Sequence, residues 1–72
     1  MRGRSFRLAT ATIAVVEGKG TITVAAGSII VVLSDRNPGG LVFVLFDGRR
    51  VQMFEKDIRD RGTLIVIDAA GG

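Results

Sequence analysis

Leu41-Val42-Phe43-Val44-Leu45-Phe46-Asp47-Gly48-Arg49-Arg50-Val51-Gln52-Met53-Phe54 is the stretch that decides the fold. Six apolar residues run into Asp-Gly, and a second strand-like run follows. Asp and Gly both tolerate positive φ, which a two-residue hairpin turn requires at its central positions. The register then pairs Phe46 with Arg49, Leu45 with Arg50, Val44 with Val51, Phe43 with Gln52, Val42 with Met53 and Leu41 with Phe54. Because side chains alternate along a strand, Val42, Val44, Val51 and Met53 share one face and form a core. The opposite face carries Leu41, Phe43, Leu45, Arg50, Gln52 and Phe54. Large apolar groups concentrated on a second face mark an interaction surface.

Outward from the hairpin, turn signals recur at short intervals. Glu17 to Gly20 is a turn, Gly27-Ser28 a bend and Asp35 to Gly40 a loop. Between them lie runs rich in Val, Ile, Thr and Phe, which suit a pleated surface. Strands are predicted near 6–16, 21–25, 28–34, 41–47, 49–54 and 63–68. The charged segment 55–62 reads as one helical turn pinned by Ile58 and ended by Gly62. The expected core is Ile22, Val24, Ile30, Val32, Val42, Val44, Val51, Met53, Ile58, Leu64 and Val66. The run 29–33 does not alternate, which predicts cover on both sides.

This order of elements over residues 22–68 resembles the SH3-like small barrel. The loop 35–40, the Asp47-Gly48 hairpin and the turn from Asp57 to Gly62 take the places of that fold's long loop, distal hairpin and helical turn. Ala26-Gly27-Ser28, Gly40 to Val44, and Val51 to Phe54 with Asp57, Arg61 and Gly62 also look like short uncharacterised bacterial proteins of this type. The resemblance implies an all-β fold: a barrel of five to six short antiparallel strands with one 3-10 or helical turn before the last strand. The domain would span 8–68, behind a basic arm at 1–7 and ahead of a flexible tail at 69–72.

Composition narrows the function. The 72 residues include no Cys and no His, so disulfides, thiolate metal sites and histidine general bases are absent. A chain this short has a marginal core, and self-association is the remaining route to burying 47% apolar residues. No run approaches the roughly 20 apolar residues of a membrane-spanning helix, and the cytoplasm is the expected compartment. The net charge of +3 and pI near 10.7 invite a nucleic-acid reading. Yet Arg2, Arg4 and Arg7 carry the whole excess, and basic and acidic residues balance over 8–72.

The expected function is a small non-catalytic binding or scaffold module, without cofactor or metal. It would self-associate through Leu41, Phe43, Leu45, Arg50, Gln52 and Phe54, and a different protein partner is also possible. The alternative is RNA or DNA binding. Arg2, Arg4, Arg7, Arg49 and Arg50 would contact phosphates, and Phe43 or Phe54 would stack on bases. Residues 27–44 are faintly similar to the KOW segment of ribosomal and elongation-factor barrels. A third, remote reading starts from Val51-Gln52-Met53-Phe54, which is similar to the Val-Gln-Ile-Tyr segment of the type II dihydrofolate reductases. Those enzymes build one pore from four subunits. Phe54 departs from that family's Tyr, and its Lys and Trp-containing strand have no counterpart here. SH3-type peptide binding is disfavoured, because the chain has no Trp or Tyr to line a groove.

Overall fold

The computed structural model describes residues 2–65. Seven strands form one antiparallel sheet: β1 (Ser5–Leu8), β2 (Thr12–Val16), β3 (Gly20–Val24), β4 (Ile29–Val32), β5 (Leu41–Phe46), β6 (Arg49–Phe54) and β7 (Gly62–Ile65). A helix, α1 (Glu55–Arg61), separates β6 from β7. The spatial order is β3-β2-β6-β5-β4-β1-β7.

The β5–β6 hairpin has the expected register at all six pairs, from Leu41↔Phe54 to Phe46↔Arg49. Asp47 at φ 51° and Gly48 at φ 75° supply the two left-handed positions, which match the right-handed twist of the flanking strands.

The SH3-like barrel is not formed. Closing a barrel requires its first and last strands to hydrogen-bond to each other. Here β3 and β7 stand at opposite margins, and no ladder joins them among the described residues. The sheet is open, and it has seven strands rather than five or six. The cause lies in residues 6–16, expected as one long strand. Ala9 N–H donates to the Arg61 carbonyl (2.6 Å), and Gly27 N–H donates to the Leu8 carbonyl (2.7 Å). These bonds end β1 at Leu8, and the chain re-enters the sheet as β2. β1 lies between β4 and β7, while β2 lies between β6 and β3. The split widens the sheet instead of closing it.

One face of the sheet carries the core. Phe6, Leu8, Ala14, Val24, Ile30, Val32, Val42, Val44, Val51 and Met53 are buried there with Ile58 of α1, and Ile22, Val16 and Phe46 pack against them. Most of the expected core is in place. Leu64 is the exception at 37% exposed. It stands opposite Phe6 on the marginal strand β7, where no further strand flanks it among the described residues. Phe6, Leu8 and Ala14 join the core beyond expectation. Val66 and the tail 69–72 lie outside the described residues.

The charged segment forms a seven-residue helix rather than a single turn. Gly62 does not end it with a left-handed residue. Its φ is −106°, and its N–H donates to the Ile58 carbonyl as the chain turns into β7. Glycine is needed there for space. A Cβ at Gly62 would lie 2.6 Å from the Ile58 carbonyl oxygen and 3.4 Å from Phe6 Cβ.

Candidate functional site

The second face of the sheet is the most distinctive surface of the molecule. Strand alternation sends Leu41, Phe43 and Leu45 of β5 and Arg50, Gln52 and Phe54 of β6 away from the core. Pairing extends these into rows. Gln52 stands opposite Phe43 on one side and Val15 on the other. Leu33 flanks Phe43, donating its N–H to the Phe43 carbonyl at 2.8 Å. A neighbouring row runs from Arg50 through Leu45 and Val31 to Ser5 and Ile65.

This surface is apolar and open. Leu45 is 41% exposed, Phe54 46%, Leu33 40% and Ile13 57%. The run 29–33 was expected to be covered on both sides, but only Ile30 and Val32 are buried. Ile29 and Leu33 face outward. Residues 6–16 do not cover the hairpin face, because both of their strands lie within the sheet, β2 beside β6 and β1 beyond β4.

Polar groups on this face are few. The Arg50 guanidinium lies 4.8 Å from the centroid of the Phe43 ring, a cation–π contact that holds both side chains down on the sheet. Gln52 sits half-buried between Phe43 and Val15. Its carboxamide makes no side-chain hydrogen bond among the described residues.

The strand geometry is supported from the loop before β5. Asn37 Oδ1 accepts from Gly39 N–H (2.8 Å) and Leu41 N–H (3.0 Å). Ser34 Oγ accepts the Phe43 N–H at 2.9 Å, continuing the ladder where β4 has ended. At the far end of the hairpin, Gly40 O accepts from Glu55 N–H at the start of α1. Glu55 itself lies 3.3 Å from Arg59 and 3.8 Å from Arg36.

The basic residues do not converge. Arg49 and Arg50 are successive residues of β6, so they project to opposite faces. Arg7 stands opposite Ile29 and Thr63. Arg4 borders a groove with Phe6, Arg59, Gly62 and Leu64 at the other end of β1. Arg2 precedes that strand in a turn. The basic segment is also tied to the body, because Gly3 N–H donates to the Val32 carbonyl (2.7 Å) and Val32 N–H to the Arg4 carbonyl (2.9 Å).

Sequence reasoning found the six hairpin residues of this face but missed Ile13, Val15 and Leu33, which enlarge it. Among the described residues, no cluster of acidic, His or Cys side chains is arranged to hold a metal ion, and no helix is long and apolar enough to cross a membrane. No protein-family model matches the chain, and neither a curated protein nor a solved structure matches it significantly.

Proposed function

We propose that this protein is a small, non-catalytic scaffold module of the cytoplasm that self-associates through the outer face of β5 and β6. The observation that carries this reading is the exposed apolar surface of Leu45, Phe54, Leu33 and Ile13, which the chain's own first strands leave uncovered. A second copy fits this face better than a charged partner. The one cation of the hairpin face, Arg50, already rests on Phe43, and the face presents no carboxylate. Gln52, at its middle, is both donor and acceptor. Across a two-fold axis its carboxamide meets its own copy, and each amide satisfies the other. Self-association would also supply the burial that a 72-residue chain lacks.

The test is solution mass by light scattering at low and high salt, for wild type and for Leu45→Glu. Leu45 pairs with Arg50, so a glutamate there gains a cross-strand partner and the fold is retained. The expected result is a wild-type assembly indifferent to salt that becomes smaller in the variant. Apolar association survives salt, whereas phosphate binding weakens steeply as salt rises. A wild-type monomer at tens of micromolar would overturn the reading.

A further inference from the structure

We infer that β3 is a second self-association site, at which two copies pair their β3 strands antiparallel about Ile22 and so continue one sheet across both molecules. An open sheet has two margins, and each presents backbone N–H and C=O groups with no ladder partner. Among the described residues β3 pairs only with β2, and β7 only with β1. The two margins are not equivalent. β7 follows α1 directly, and Gly62 lies against the Ile58 carbonyl, so the helix stands beside that margin. Among the described residues, β3 has no element beyond it in the sheet order.

Natural edge strands are protected by charges, prolines or bulges. Gly20-Thr21-Ile22-Thr23-Val24 has no charge and no proline; its first residue, Gly20 at φ 85°, is the bulge position that closes the turn after Val16, and Thr21 to Val24 beyond it pair in unbroken register with β2. The strand is long enough to pair and carries nothing that repels a second strand.

The sequence of β3 also fits itself. Antiparallel pairing about Ile22 sets Thr21 of each copy opposite Thr23 of the other, and Ile22 opposite Ile22. Thr–Thr and β-branched pairs are among the favourable cross-strand combinations. The two threonines are exposed on the outer face, while Ile22 is half-buried on the core side. The pairing therefore joins outer face to outer face and core side to core side. Gly20, opposite Val24, adds no side chain to obstruct it.

This edge is separate from the hairpin face, so it does not depend on the face association. Two isologous contacts on different patches build an assembly larger than a dimer.

Single cysteines test the register, because the natural chain has none. Cα atoms of directly opposed residues lie about 4.5–5.5 Å apart, within the range a disulfide spans. Ile22→Cys is oxidised in a Leu45→Glu background, which removes the face contact, and run on a non-reducing gel. The expected result is a covalent dimer from Ile22→Cys and none from Thr21→Cys alone. Mixing Thr21→Cys chains with Thr23→Cys chains restores the cross-link, and it does so without touching the core should Ile22→Cys fail to fold. A folded Ile22→Cys that cross-links no faster than Thr21→Cys, or a Thr21/Thr23 mixture that does not cross-link, overturns the inference. If Leu45→Glu leaves the wild-type mass unchanged while Ile22→Cys still cross-links, the face reading fails and the edge pairing stands.

Discussion

Replacing Gly62 by alanine separates two physical reasons for a glycine at a helix end. Were Gly62 a left-handed cap, the cost of Gly62→Ala would come from backbone conformation. At φ −106° that penalty is absent. On conformational entropy alone the substitution would stabilise the protein by about 0.4–1 kcal/mol. Space reverses the sign. The new Cβ would sit 2.6 Å from the Ile58 carbonyl oxygen, and the neighbouring Phe6 Cβ, 3.4 Å away, limits retreat. Relief requires the Gly62 N–H to Ile58 bond to stretch, which gives up about 0.5–1.5 kcal/mol. Overpacking of this kind costs about 1–3 kcal/mol. The expected net loss is about 1–3 kcal/mol. At roughly 0.05–0.15 kcal/mol per residue, the whole chain holds about 4–11 kcal/mol, so the loss is a large fraction. Each kcal/mol lowers Tm by about 4–8 °C in a domain of this size. Thermal and urea unfolding measure the loss, and amide exchange at position 62 locates it. Gly48→Ala is the conformational control. Its φ is 75° with open space around it, so its cost of about 1–2 kcal/mol comes from the left-handed backbone alone. A Gly62→Ala protein at least as stable as wild type would refute the steric account.

Ile58 is the one fully buried side chain of α1, so Ile58→Ala is expected to cost about 2–5 kcal/mol in urea unfolding, with α1 lost first. Asn37→Ala removes the acceptor for both Gly39 and Leu41 N–H. It should cost about 1–2 kcal/mol and raise amide exchange at these two residues, whereas Asn37→Asp keeps the acceptor and most of the stability. Ser34→Ala leaves the half-buried Phe43 N–H without its partner. A loss of about 1 kcal/mol is expected, with faster exchange confined to Phe43 and its neighbours.

The hairpin was legible because its determinants are local: two residues that accept positive φ, and strict alternation on either side. The six residues of its outer face followed from that register. The break at residues 9–11 was not legible. Ala9-Thr10-Ala11 contains neither Gly nor Pro, and the bonds that end β1 come from Arg61 and Gly27, far along the chain. A glycine after a charged helical segment points to a helix cap, whereas the role of Gly62 is set by the Ile58 carbonyl one turn earlier. The orientation of β2 also defeats pattern reading. Small Ala14 is fully buried while large Ile13 is 57% exposed, so apolar bulk points the wrong way. Whether a sheet closes depends on its two margins meeting, and no periodicity within a strand encodes that.

The position of β1 has a consequence for how the chain acquires its structure during synthesis. β5 and β6 are joined by two residues and form from local contacts, but β1 must find Ile30 on one side and Leu64 on the other. The second of these partners lies almost a whole chain length away. Closing so long a loop costs entropy before any contact is gained. The β4–β5–β6 meander can assemble while the nascent chain is still emerging. β1 must wait for β7, so docking of β7 on β1 is the expected final step in forming this sheet. Until it happens, Phe6 and Leu8 lack their full cover, and the newborn chain is most prone to misassembly in that interval.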